Sequence, residues 1–396
     1  NEIPMVDLHA SFSDIASKSL FFIDKSEDAY KILHLSSKRI LILRPPLFGK
    51  SVMMDMVENI LQMTMNSFQS LRCSLLLSFQ HHENHRHQVI RFKLSSVVTP
   101  QRYEEAILQE IKNNFTKLNI RFDPTISSPS VALHFLFSQL PKNIPIAVLI
   151  DDIQSILVTL EKSSKEFKSV YRIVQSIFDV LIQWKSSIAF MLLLGTANFF
   201  DLSDLVTDFT YHCDAASLFG FNHRNIILSN KFNNQVEYFT ALPTKTIVYY
   251  GNFHKNIQEI FTSCFNNFDL FASHKLGGQI RIDFLFHLFL HFGGYRFSPD
   301  STETVVNPID FVLSITKSHI DSYWASQILN QVTDKFKGLT CIQNFFDTSL
   351  SLLLCNRQLI SKANFELYKI LVPFGLLSFD SHNLVIPNLD LFDFYM

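Results

Sequence analysis

The tripeptide Gly49-Lys50-Ser51 brings together three residue types that can hold a phosphate chain. The glycine lets backbone come close, the ammonium reaches β and γ oxygens, and the hydroxyl can ligate magnesium. The apolar run Arg39 to Leu43 before it reads as a strand, and the residues after it, about Ser51 to Met63, read as a helix. A loop at such a turn presents backbone N–H groups at a helix N-terminus, where anions bind. The whole run is Arg44-Pro45-Pro46-Leu47-Phe48-Gly49-Lys50-Ser51, with Arg44 standing where the pattern GxxxxGK[ST] has its first glycine. On the pattern alone the match is incomplete, and a GKS tripeptide also arises by chance.

About a hundred residues downstream, Ala147-Val148-Leu149-Ile150-Asp151-Asp152 is an apolar strand ending in two carboxylates. Beside the first loop, Asp151 would hold the magnesium shell and Asp152 would stand where a carboxylate orients an attacking water. The competing reading is a buried strand capped by a solvated acidic turn; the pairing with Gly49-Lys50-Ser51 favours the chemical one. The next strand ends in Leu194-Gly195-Thr196-Ala197-Asn198, where Thr196 and Asn198 are candidates to sense a γ-phosphate. Asn198 as a plain helix N-cap accounts for it equally well. The candidate set is therefore Arg44, Phe48, Gly49, Lys50, Ser51 and Asn198 for the nucleotide, Ser51 and Asp151 for the metal, and Asp152 as the catalytic carboxylate. The implied cofactors are ATP or ADP with Mg2+.

The elements that must position these residues follow from periodicity. Short β-rich runs recur at Arg39 to Leu43, Val89 to Leu94, Ile144 to Ile150 and Ala189 to Leu194, with a weaker one near Tyr211. Helical patterns separate them, at about Ser51 to Met63, Pro100 to Leu118, Ser128 to Leu140 and Ser164 to Trp184. This alternation predicts an α/β fold, a mostly parallel sheet with helices on both faces; read as a P-loop domain, its expected strand order is 5-1-4-3-2. Residues 1–20 are expected to form an N-terminal arm packed on a core of residues 21–221. Past Phe221 the strand signal fades, and residues 222–396 read as a mainly helical lid region with helices at Ile280 to Phe292, Ile309 to Lys317 and Asp321 to Gln331. Gly375 to Pro387 reads as a hairpin or small winged element around Asp380-Ser381-His382-Asn383.

Composition narrows the function class. The net charge of -2 provides no global field that would draw the 396-residue chain to nucleic acid or anionic lipid. Hydrophobic residues make up 47%, yet polar or charged residues break each apolar run before it could span a bilayer, so the surplus is expected in a core. No basic stretch leads into an apolar run at the start, and no signal peptide is expected. Five scattered cysteines, Cys73, Cys213, Cys264, Cys341 and Cys355, form no CxxC pair and fit a reducing, cytoplasmic setting. Phe is abundant, at 40 residues, which a bias toward A and T in the codons explains as well as function does. Patches such as Phe345-Phe346 or Phe392-Phe394 would mark a partner surface if exposed.

A chain of short motifs then resembles the AAA-ATPase-like family, P-loop NTPases whose members often carry a PD-(D/E)XK nuclease-like domain behind the ATPase. Phe22-Ile23-Asp24-Lys25-Ser26 is similar to the family's V-D-K-T opening, and Arg44 to Ser51 to its R-P-R-R-F-G-K-S, which normally lacks the first glycine as well. Ile150-Asp151-Asp152 answers I-D-E, Leu218-Phe219-Gly220-Phe221 answers L-F-G-F, and Gly293-Gly294-Tyr295-Arg296-Phe297 answers D-G-Y-x-F. Asn307-Pro308, Tyr323-Trp324 and Ile386-Pro387-Asn388 follow in the family's order. Departures accompany these matches. Pro46 and Leu47 replace two loop arginines, Asp152 replaces the glutamate, Ile153-Gln154 replace Tyr-Asp, and Gly293 replaces Asp. The spacing between Phe221 and Gly293 suggests an insertion at about 229–271. Ile386-Pro387-Asn388 normally leads into the nuclease-like domain, so with eight residues following, no DNA cleavage is expected here.

Two further constellations stand out by residue type. The tract His81-His82-Glu83-Asn84-His85-Arg86-His87 is dense in metal-ligating groups but lacks a Cys or Asp partner at a known spacing, which favours a solvated loop. Arg296, in the helical part of the chain, fits either a lid arginine reaching a γ-phosphate or a structural contact, and the second is preferred. The function expected is magnesium-dependent ATP binding with slow or absent hydrolysis, in a nucleotide-stabilised regulatory or interaction protein. Such a nucleotide-gated scaffold is expected to dock onto a protein or ribonucleoprotein partner through the insertion or the Phe-rich tail; the competing expectation is a non-catalytic member that serves as a structural partner in a larger protein or ribonucleoprotein assembly.

Overall fold

A computed structural model describes residues 10–17, 25–35, 38–64, 86–93, 99–153, 163–196, 210–211, 291–297, 305–317, 375–380 and 383–385, with single positions or pairs at 68, 71, 73, 156–157, 160, 323–324, 372, 387–388 and 391. Helices α1 (Phe12–Ser17) and α2 (Ser26–Leu33) precede strand β1 (Arg39–Leu43). Then come α3 (Lys50–Leu61), β2 (Gln88–Lys93), a 3-10 turn at Pro100–Arg102 running into α4 (Tyr103–Lys117), and α5 (Pro129–Gln139). Strand β3 (Ile146–Asp151), α6 (Lys165–Gln183), β4 (Ile188–Gly195) and the two-residue β5 (Thr210–Tyr211) complete the sheet. Beyond it lie α7 (Pro308–Lys317) and an antiparallel pair, β6 (Ser378–Asp380) with β7 (Asn383–Val385).

The sheet runs β2-β3-β4-β1-β5, and each pairing within it is parallel. The side-chain period of two divides every long strand between two cores. Leu41, Leu43, Ile90, Phe92, Val148, Ile150, Met191 and Leu193 join the core under α4, α5 and α6. Ile40, Ile42, Val89, Ala147, Leu149, Leu192 and Leu194 join the core under α1, α2 and α3. Covered on both faces, a parallel strand can afford no polar alternation, which is why β3 is buried at all six positions and reads as an unbroken apolar run. The α/β architecture expected from the alternation is thus present. Strand β3 starts at Ile146, two residues after the expected Ile144. Ile144 is held in a turn by a bond from its N–H to the Pro141 carbonyl, and Pro145 has no N–H for the ladder.

Helix starts follow local chemistry. Ser164 caps α6 by accepting the Phe167 N–H at 3.1 Å, and Pro129 occupies the first turn of α5, where its missing N–H costs nothing. On the α3 side, charge does what apolar packing cannot. Arg91 on β2 lies 2.5 Å from Asp55 and 2.6 Å from Glu58, both on α3, and Lys117 of α4 pairs with Glu58 as well. Asp55 also accepts the backbone N–H of Phe12, so the N-terminal helix is tied to the same acid.

The expected helices at 280–292 and 321–331 lie largely outside the described residues, as do Leu218 to Phe221, the suggested insertion at 229–271, Phe345-Phe346 and Phe392-Phe394. Arg296 is a correction: it sits in irregular backbone next to the bridge between Tyr295 and Val305, not in a helix, and its N–H donates to the Ser378 hydroxyl at 2.7 Å. The expected hairpin is seen, with Asp380 opposite Asn383.

Replacing the guanidinium by an apolar group leaves Asp55, of low exposure, without its cation and Glu58 with Lys117 alone. Arg91→Leu is expected to cost about 3 kcal/mol, the low end for breaking a buried ion pair. A denaturant titration should show a lower midpoint at unchanged slope; an unchanged midpoint would mean the network contributes nothing net.

Candidate functional site

Three chain segments meet at the carboxyl ends of β1, β3 and β4, because parallel strands deliver their following loops to one edge of the sheet. The β1–α3 turn brings Arg44 to Ser51. Two of its residues have left-handed backbone: Leu47 at φ 62 and Gly49 at φ 80. Gly49 takes that conformation freely and serves as the N-cap position of α3. For Leu47 the same conformation costs roughly 1–2 kcal/mol, so something outside the residue must hold it.

Lys50 begins α3, buried to 6% exposure, and its ammonium bends back over the loop. Its Nζ donates to the carbonyls of Arg44 at 3.0 Å and Pro45 at 2.9 Å, and to the Thr196 hydroxyl at 3.4 Å. Asp152 Oδ2 stands 3.7 Å away. Thr196, just past the end of β4, donates to Asp152 Oδ1 at 3.1 Å. The Ser51 hydroxyl donates to Asp151 Oδ2 at 2.7 Å, closing a contact between residues a hundred apart in the chain. Backbone bonds fix the register of this edge: Asp152 N–H to Leu194 O at 2.9 Å and Arg44 N–H to Gly195 O at 3.0 Å.

The two carboxylates differ in environment. Burial pushes the Asp151 carboxyl above the usual carboxylate range and neighbouring Asp152 adds to the rise, while the Ser51 hydroxyl, Lys50 and Arg91 oppose it. Asp152 is more open and carries a left-handed backbone at φ 55, a conformation aspartate tolerates better than most residues. The turn behind it is anchored by Tyr103, whose buried phenol donates to the Ile153 carbonyl at 2.5 Å and is driven well above its ordinary pKa by that burial.

Of the residues singled out from sequence, Gly49, Lys50, Ser51, Asp151, Asp152 and Thr196 meet at this edge. Arg44 and Phe48 are in the same turn, and their side chains contact Tyr295 and Phe297. The Arg44 guanidinium lies 4.4 Å over the Phe297 ring, and Phe48 meets Tyr295 and Phe297 edge-on at 5.4 and 5.7 Å. Asn198 lies outside the described residues, as does the histidine tract up to His85; among the described residues no cluster of three or more metal-ligating side chains occurs. Sequence reasoning did not anticipate that Trp324 donates its indole N–H to the Pro46 carbonyl at 3.1 Å, or that Gly375 packs on Pro45, where a β-carbon would come within 2.9 Å of the ring. The signal was there only as motif order, with Tyr323-Trp324 falling late in the chain.

The donor set at the edge is made of hard oxygens, a serine hydroxyl and a buried carboxylate, beside an ammonium and the N-terminus of a twelve-residue helix. That chemistry suits a divalent cation of the magnesium type together with a phosphate. Among the described residues no helix is long and apolar enough to cross a membrane. No curated protein and no solved structure matches the chain. A family model described as a predicted AAA-ATPase matches residues 9–204. That stretch runs from before α1 to past β4 and includes every residue of the edge just described, and over it the chain belongs to the AAA-ATPase-like family.

Proposed function

We propose that this protein binds ATP with magnesium at the carboxyl edge of its sheet and hydrolyses it slowly or not at all, so that nucleotide sets its conformation rather than being turned over. The observation that carries the reading is the bond from Ser51 Oγ to Asp151 Oδ2, 2.7 Å long, with Lys50 and Asp152 3.7 Å apart beside it. Membership of a family of predicted AAA-ATPases supports the nucleotide; the metal and the slow rate rest on the residues.

In this reading Ser51 and Asp151 hold the metal, Lys50 takes the β and γ oxygens, and the N–H groups that open α3 face phosphate, because the first turn of a helix has no internal partners for them. Magnesium ATP supplies the electrophilic phosphorus and the cation that screens its charge. Asp152 is the group that can orient a water or accept its proton. Its side chain is one methylene shorter than glutamate and is already engaged by Thr196 and Lys50, so both reach and freedom are reduced. Pro46 and Leu47 add no positive charge to the loop, which leaves Lys50 with less help in stabilising the transferring phosphoryl group. A regulatory or partner-docking use of the bound state follows as part of the same proposal.

Lys50→Ala should weaken ATP binding by about tenfold or more, the loss of one charge-assisted contact, as read by calorimetry. Unchanged affinity would remove the site. For hydrolysis, single-turnover cleavage by the unaltered protein is expected to be slow, and Asp152→Glu should raise it. A brisk rate in the unaltered protein, or no gain in Asp152→Glu, would show that carboxylate reach is not the limit.

A further inference from the structure

Taking the nucleotide reading as given, the phosphate loop shows a difficulty that its own sequence does not solve. Pro45 and Pro46 have no N–H, so the first backbone donor the loop can offer a phosphate is that of Leu47, a residue in left-handed backbone. The direction of that N–H follows from the orientation of its peptide unit. It shares a peptide unit with the Pro46 carbonyl, and in a trans unit the two point in opposite directions; no cis bond occurs among the described residues. The Pro46 carbonyl accepts the Trp324 indole N–H at 3.1 Å. Trp324 thus aims the Leu47 N–H the other way.

The neighbouring carbonyls are handled alike. Those of Arg44 and Pro45 are turned onto the Lys50 ammonium, so three successive carbonyl dipoles are each satisfied by a donor. Trp324 is itself fixed: it is 1% exposed, and its backbone N–H bonds Asp310 Oδ1 at 2.8 Å. Asp310 is held by Asn307, whose backbone N–H in turn donates to the Phe292 carbonyl at 2.8 Å, next to the Gly293–Phe297 stretch that grips Phe48. Gly375 and Pro45 close the remaining side.

We infer that these C-terminal residues act as an external template for the phosphate loop, with Trp324 as a positioning residue that presets the Leu47 N–H for the nucleotide's phosphates. Linkage makes the effect reciprocal: phosphate on the Leu47 N–H polarises the shared peptide unit and strengthens the indole bond on its other side.

The test uses the full chain and magnesium ADP. Trp324→Phe keeps the aromatic packing and removes only the donor; it is expected to weaken ADP binding about fivefold by calorimetry, the value of one hydrogen bond. The chain has two tryptophans, so Trp184→Phe leaves Trp324 as the sole indole in an otherwise native loop. Its emission should shift on saturation with magnesium ADP, and the shift should vanish when Lys50→Ala is added. A purely structural Trp324 would lower the melting temperature of Trp324→Phe with affinity and emission unmoved, and that result overturns the inference. Binding that is lost in Lys50→Ala but intact in Trp324→Phe also removes the inference alone, whereas no binding by the unaltered protein removes the nucleotide reading and the inference with it.

Discussion

A turn that places Leu47 and Gly49 both in left-handed backbone, two residues apart and after two prolines, is not a shape the turn can hold by its own propensity. Glycine supplies one of the two for nothing; the other has to be enforced. Here the enforcement comes from both sides of the loop. From within the α/β body, Lys50 folds back onto the Arg44 and Pro45 carbonyls. From residues more than two hundred positions further along, Phe297 and Tyr295 pack the Phe48 ring, Phe297 lies under Arg44, and Trp324 holds Pro46. Interactions of both kinds converge on eight residues, and the position of the lysine and the serine depends on them.

The sheet makes that convergence possible. A parallel order in which β4 lies between β3 and β1 sends the ends of three strands to one edge, so Asp151, Thr196 and Ser51 meet without any of them being near another in sequence. The Arg91 network then works from below. By joining β2 to α3 through Asp55 and Glu58, it sets the helix whose first residues are Lys50 and Ser51, and its positive charge is among the influences that hold Asp151 toward its ionised form. Stability and site electrostatics thus share one guanidinium.

Much of this was legible because apolar runs and turn chemistry are local. β1 is found at Arg39–Leu43 as read, and α6 begins after Ser164 because a serine there is an N-cap signal. The pairing of Gly49-Lys50-Ser51 with Asp151 and Asp152 could be seen as two motifs, and only the fold turns them into a contact. What could not be read were contacts with no local signature. Phe48 and Arg44 look from sequence like loop residues available to a ligand; that their side chains are spoken for by Phe297 and Tyr295 depends on where a distant segment returns. Ser378 is equally silent in sequence, yet its hydroxyl takes the Arg296 N–H and donates to the Gly294 carbonyl.

Gly294 shows how tightly that distant segment is built. At φ 82 it sits where a β-carbon would lie 2.1 Å from the Pro387 carbonyl oxygen, and Asn388 donates to the Gly293 carbonyl at 3.0 Å. Late motifs that are separated by tens of residues, Gly293 to Phe297, Asn307-Pro308, Trp324 and Pro387-Asn388, are therefore parts of one hydrogen-bonded assembly. Because Phe48 and Pro46 are held by that assembly, a change in its packing has a direct route to the phosphate loop, and the loop a route back. The route consists of a carbonyl, an indole and two aromatic edges, not a long chain of intermediates. Coupling of that kind needs only that the loop has two arrangements which differ in these contacts.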